Sequence, residues 1–233
     1  VAEDGRQGRV VHRTEVTIEE PRIIEADIDA LAWTKVTPTE GDFDGVRSVI
    51  TTEDGTIFIH NYLDQIRRSA DDGETWVTVL EDVECCGNLA TRQRGEIFVA
   101  SPAGLYFSGD NGANWALWAE TKFNSVAISF DRNHVLAGTD REVRRYDMTG
   151  SLADSFPIEG GVSDLEGCKT QARHGVTSGS GHLYINDDPG GDPNGWRIPD
   201  DRFGKSKGSS SISFDRNCNV YQGMWNGYRI WRF

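Results

Sequence analysis

Two short stretches gather side chains that chemistry often uses. SADDGETW, residues 69–76, carries Ser69, Asp71, Asp72, Gly73, Thr75 and Trp76; SGDNGANW, residues 108–115, repeats Ser108, Asp110, Gly112 and Trp115 with Asn114 in place of the threonine. Oxygen donors at this spacing could ligate calcium, supply paired carboxylates for acid–base catalysis, or close a tight turn. A second pool of carboxylates, Asp42, Asp44, Asp64, Asp164 and Glu166, lies in segments between apolar runs. If two of these flanked a scissile bond about 5–10 Å apart, they could hydrolyse a glycoside.

Other residues point to binding. Trp225, Asn226 and Tyr228 fall in one short segment and His60, Asn61 and Tyr62 in another. Aromatic faces beside amides suit sugars, whose rings stack while their hydroxyls hydrogen-bond. Lys205 and Lys207 in GKSKG add a cationic spot that would suit an anionic sugar. The histidines His12, His60, His134, His174 and His182 have no ligand spacing, and there is no CxxC pair. Neither a metal nor a cofactor is therefore expected. Cys85, Cys86, Cys168 and Cys218 read as free, buried thiols. No GxSxG, HExxH or phosphate-cradling loop is present.

Composition narrows the class. The chain has 233 residues, 37% apolar, with 26 glycines, which suits a turn-rich globular fold. Its net charge of −13 argues against nucleic acid, whose binding rests on cations neutralising phosphates. No apolar run reaches the roughly 20 residues of a membrane helix. The opening VAEDGRQGRVVHRTE is polar and charged, unlike a secretory signal.

The residues must be positioned by elements, and the elements repeat. Trp33, Trp76, Trp115, Phe156 and Trp196 each head an apolar stretch, at a period near 40. GTIFIHN at Gly55, GEIFVAS at Gly95, NHVLAGT at Asn133 and CNVYQGM at Cys218 mark a second register of short strands, with RHGVTSG near His174 as its weak member. QIRRSA, GLYFSG, EVRRYD, HLYIND and YRIWRF mark a third. Four-stranded units repeating about an axis are propeller blades. The expectation is an all-β, five-bladed β-propeller over residues 31–233. Its last repeat stops after three strands, and the strand near Trp33 would complete that blade and protect its edge.

SADDGETW now resembles the Asp-box (BNR repeat), the S/T-x-D-x-G-x-T-W turn of sialidases, sortilin-type receptors and many other propellers. The match is complete at Ser69, Asp71, Gly73, Thr75 and Trp76, and SGDNGANW keeps Ser108, Asp110, Gly112 and Trp115. Asp147 and Gly150, then Asn186, Asp188, Gly191 and Trp196, are degenerate copies. The resemblance implies a structural turn between third and fourth strands, with its carboxylate on backbone N–H groups and its tryptophan between blades. It does not extend to sialidase chemistry, which needs six blades, an arginine triad, a tyrosine nucleophile and an early F/Y-R-I-P motif. Here WRIP falls late, at residues 196–199.

Ligands of such propellers meet the opposite face, formed by the loops entering first strands and those joining second to third strands. SDLEGCK, with Asp164 and Glu166, reads as one of these entry loops. Residues 1–30 lie outside the ring and contain VVHRTEVTI, which alternates like a strand and would dock on a partner. The expected function is a non-catalytic binding or structural module held by this arm to a larger assembly. A bacteriophage spike or fibre component contacting a glycan or protein receptor is one form it would take, on a virion surface or outside the cell. A small glycan-active hydrolase using rim carboxylates is the alternative.

Overall fold

A computed structural model describes residues 45–84, 87–93, 95–199, 209–224 and 229–232. The arm at residues 1–30 and the strand near Trp33 lie outside them. The described chain is all β, without an α-helix, and forms five antiparallel sheets of sequential strands. The first holds β1 (Val46–Thr51), β2 (Ile57–Asn61), β3 (Ile66–Ser69) and β4 (Val77–Leu80). The second holds β5 (Leu89–Thr91), β6 (Ile97–Ser101), β7 (Gly104–Ser108) and β8 (Ala116–Ala119). The third holds β9 (Ser125–Ile128), β10 (His134–Gly138), β11 (Glu142–Asp147) and β12 (Leu152–Pro157). The fourth holds β13 (Val162–Gly167), β14 (His174–Ser178), β15 (Leu183–Asn186) and β16 (Trp196–Arg197). The fifth has three strands, β17 (Ser209–Phe214), β18 (Val220–Met224) and β19 (Arg229–Arg232).

First strands of successive sheets lie side by side, β1 against β5, β5 against β9, β9 against β13 and β13 against β17. The cores sit between sheets. Phe58 and Ile66 meet Ile97 and Val99; Phe98 and Leu105 meet Val126 and Val135; Leu136 and Val143 meet Leu165, Val176 and Trp196; Leu183 and Ile185 meet Ile212 and Val220. Second strands are covered on both faces, so IFIHN and IFVAS are apolar without clean alternation. Three of the repeated aromatics, Trp115, Phe156 and Trp196, fill seams between sheets. Trp115 packs against the core shared by the first two sheets, and Phe156 stacks on Trp196, ring centroids 6.3 Å apart.

The weak repeat has a physical account. A Cβ on Gly175 would come within 2.2 Å of Ile212 Cδ1, so the fifth sheet approaches too closely for a side chain there. His174 is fully buried, and its Nε2 accepts the Phe130 amide at 3.0 Å, tying the fourth sheet to the third.

The acidic stretches form turns. In the β3–β4 turn, Ser69 Oγ donates to Asp71 Oδ1 at 2.7 Å and accepts the Gly73 amide at 2.8 Å. Asp71 then accepts the Thr75 amide at 2.9 Å and the Thr75 hydroxyl at 2.5 Å. That hydroxyl, followed by the amide and the Ser69 hydroxyl, holds the Asp71 carboxyl down at about 2. Trp76 Nε1 donates to the Gly73 carbonyl at 3.0 Å, and Gly73 has φ +88°, where glycine is favoured. In the β7–β8 turn, Ser108 and Asp110 do the same, and Asn114 Nδ2 donates to Asp110 Oδ2 at 2.7 Å. The asparagine amide thus replaces the threonine hydroxyl as donor. Asp147 and Asp188 accept turn amides in the third and fourth sheets.

Ser69 is 1% exposed, so Ser69→Ala strands the Gly73 N–H away from water. The expected cost is about 1–3 kcal/mol, seen as a lower urea midpoint at unchanged slope. An unchanged midpoint would mean the turn holds without its serine.

Candidate functional site

Residues from the first strands of four sheets line one cavity of about 800 Å³, among them Val49, Leu89, Val126, Asp164 and Glu166. A repeated clasp joins these strands. Ser48 Oγ accepts the Leu89 amide (3.1 Å), and Asn88 Oδ1 the Val126 amide (2.6 Å). Ser125 Oγ accepts the Leu165 amide (3.0 Å), and Asp164 Oδ2 the Ile212 amide (3.1 Å). In each, a polar side chain just before or within the first half of one sheet's first strand caps an N–H of the next sheet. Asp164 Oδ1 also accepts from Ser125 Oγ at 3.1 Å and from the Leu165 amide at 2.9 Å.

This corrects the reading of Asp164 and Glu166 as loop residues. Both lie on β13, where a bulge between Val162 and Asp164 breaks simple alternation. Charge suggested a loop, yet the strand faces a polar cavity and tolerates it. Burial raises the Asp164 carboxyl above its usual range, against the Ile212, Ser125 and Leu165 hydrogen bonds. Burial first, then the adjacent Asp164 charge, push Glu166 up to about 7, while Ser213 and Lys169 pull it down. The cavity therefore holds one carboxylate committed to structure and one acid poised near neutrality. They sit two residues apart on one strand rather than on facing walls.

The structure separates the other candidates. His60 and Asn61 are fully buried. His60 Nε2 lies 3.0 Å from the Val83 carbonyl, and Asn61 Oδ1 accepts the Leu63 and Gln65 amides that close the β2–β3 turn. Tyr62, next to them, is 47% exposed. Trp225, Asn226, Tyr228, Lys205 and Lys207 lie outside the described residues, as do Asp42 and Asp44. The clasp residues Ser48 and Ser125 were missed as a series, although they and Asn88 and Asp164 share the period near 40. Among the described residues, no group of three His, Cys, Asp or Glu could hold a metal ion, and no helix is long and apolar enough to cross a membrane.

The thiol expectation is also corrected for one pair. Cys168, just after β13, and Cys218, just before β18, form a disulfide with Cα atoms 5.6 Å apart. Fifty residues separate them in sequence, but the turns of two adjacent sheets bring them together. Cys85 and Cys86 lie outside the described residues.

With this geometry in hand, comparison with solved structures identifies the fold. An ancestral GH74 enzyme superposes with a TM-score of 0.60 at 18% identity, over 88% of this chain and 32% of its own. A Nidogen/Laminin complex matches with a TM-score of 0.60 at 10% identity, over 82% of this chain and 76% of its own. A protein of unknown function from Bacteroides thetaiotaomicron matches at 0.57 with 13% identity, over 82% and 55%. The chain thus spans about a third of the GH74 enzyme. No family model and no curated protein matches the sequence. At these identities the likeness is of fold, and the fold is β-propeller-like.

Proposed function

We propose that the chain is a non-catalytic recognition module. In this reading it is an Asp-box propeller of five blades, the last completed by the strand near Trp33. Residues 1–30 dock it to a larger assembly, as in a bacteriophage spike or fibre, and the propeller contacts a glycan or protein receptor. Tyr62, Trp225, Asn226, Tyr228, Lys205 and Lys207 are its proposed ligand-facing residues, with His60 and Asn61 supporting Tyr62. The carrying observation is the cavity: both Asp164 carboxylate oxygens are occupied by inter-sheet clasps, and Glu166 sits on the same strand. Hydrolysis by paired carboxylates needs them to flank the bond. The Cys168–Cys218 disulfide supports a site of action outside the reducing cytosol.

Light scattering on the full chain and on a chain beginning at Leu31 tests the docking role. The full chain should be oligomeric and the shortened one a folded monomer. Two monomers would remove the arm from the proposal. Binding to a glycan array, reduced by Tyr62→Ala and Trp225→Ala, tests recognition.

The second reading, a small glycan-active hydrolase, is favoured by Glu166, whose raised pKa near 7 suits a general acid. Release of reducing ends from an oligosaccharide, abolished by Glu166→Gln, would establish it and displace the first.

A further inference from the structure

We infer that the cavity mouth formed by the first-to-second-strand turns takes an anionic saccharide, its acid groups held by Arg132, Lys169 and Arg216. Arg132 and Lys169 line the main cavity, while Lys169 and Arg216 line an adjoining one of about 420 Å³. Each sits on the turn leaving the first strand of its sheet, the third, fourth and fifth in order. This end also carries the third-to-fourth-strand turns, as the bond from Asn111 Nδ2 to Asp54 Oδ2 (3.1 Å) shows. It is opposite the loops at Tyr62.

In a chain with 37 acidic and 24 basic residues, six of the described cations find a carboxylate. Arg92 pairs with Glu96, Lys122 with Asp140, Arg144 with Glu142, Arg145 with Asp154, and both Arg173 and Arg197 with Asp187. Arg132, Lys169 and Arg216 are exposed and, like Arg47 and Arg141, form no ion pair with another described residue, although Lys169 feels the Glu166 charge. Of these five, only Arg132, Lys169 and Arg216 line the two cavities.

Carboxylates near the mouth are turned to other work. Asp131 accepts Ser129 Oγ and the Asn133 amide, and Asp215 accepts the Asn217 and Asn219 amides. Asp164 is held in its clasp. Glu53, exposed on the first sheet's turn, Asp164 and Glu166, with Asp215 at the adjoining cavity, are the acids an anion would face there. Phe130, 39% exposed, and Val49, 61% exposed, also line the cavity. Unpaired cations beside an aromatic face and a roomy cavity suit a sugar ring bearing carboxylate or sulfate.

This inference rests on the recognition reading, and the test separates them. Binding of a heparin tetrasaccharide, an oligogalacturonate and a neutral cello-oligosaccharide to the full chain is measured by calorimetry, at about 50 and about 300 mM NaCl. The better acidic ligand should bind about tenfold more tightly than the neutral one at low salt, and lose that margin at high salt. Its rank against the other separates sulfate from carboxylate recognition. Arg132→Gln, Lys169→Gln and Arg216→Gln combined should erase the preference, and Arg144→Gln should retain it. All three substituted residues are exposed, so an unchanged melting curve checks folding. Equal binding of neutral and acidic ligands, or a preference surviving the triple variant, overturns the anionic site and leaves recognition standing. If none of the three binds, the anionic site falls, and the glycan array with Tyr62→Ala and Trp225→Ala decides recognition separately.

Discussion

Reducing the Cys168–Cys218 disulfide, or replacing Cys168 by serine, should lower stability by about 4 kcal/mol, the chain-entropy value for a loop of this length. For a chain of this size that corresponds to a melting point lower by about 8–16 °C. The bond closes a 50-residue segment and joins the fourth sheet to the fifth. The fifth sheet has three described strands, and Leu183 and Ile185 with Ile212 and Val220 form its core with the fourth. Both sulfurs are buried, so substitution also leaves a small packing defect. Melting with and without dithiothreitol, on wild type and on Cys168→Ser, separates the two contributions. Reductant should move the wild type towards the variant and leave the variant unchanged. A wild type whose melting ignores reductant would show that the bond contributes nothing to stability.

Acidification from pH 6.5 to 4 should remove about 3 kcal/mol through His174, equivalent to about 6–12 °C in melting point. Burial pushes this imidazole down to about 4 from its usual 6.5, against the Asp131 and Asp188 charges that raise it. Its Nε2 must stay unprotonated to accept the Phe130 amide. Between these values the unfolded chain binds a proton that the folded chain refuses. The contribution is therefore complete above pH 6.5 and is lost as pH falls towards 4.

Glu166 works in the opposite direction. Its folded pKa near 7 lies above 4.5, so its contribution is present below pH 4.5 and lost as pH rises through 7. Glu166 is partly exposed, and with solvent screening discounted this is about 1–2 kcal/mol. The two slopes oppose each other between pH 4.5 and 6.5. Glu166→Gln should expose the full His174 slope. His174→Gln, whose side-chain oxygen can still accept the Phe130 amide, should remove it. An acid limb unchanged in His174→Gln would assign the loss to other groups. Asp54 and Asp71, held down at about 2, titrate below this window.

The four-strand unit was legible in the sequence because each strand's place is written locally. A strand covered on both faces must be apolar, which marked IFIHN and IFVAS. A turn needing a serine or aspartate acceptor and a glycine at positive φ marked residues 69–76 and 108–115. Trp115, Phe156 and Trp196 fill seams between sheets, which is why an aromatic recurs at their spacing. Even the His174 repeat, weak as a pattern, obeys the same spacing.

Only the tertiary structure decided what crosses from sheet to sheet. Asp164 and Glu166 looked like loop residues because charge normally shuns a sheet, and the cavity that accommodates them exists only once the first strands lie side by side. Cys168 and Cys218 are 50 residues apart with no spacing signal, since their proximity comes from two turns meeting at one end of adjacent sheets. Arg132, Lys169 and Arg216 are three unremarkable turn residues in sequence. They share one mouth because each leaves its first strand at the same end. Local chemistry determined the strands and turns; packing between sheets decided which side chains became clasp, staple or cavity wall.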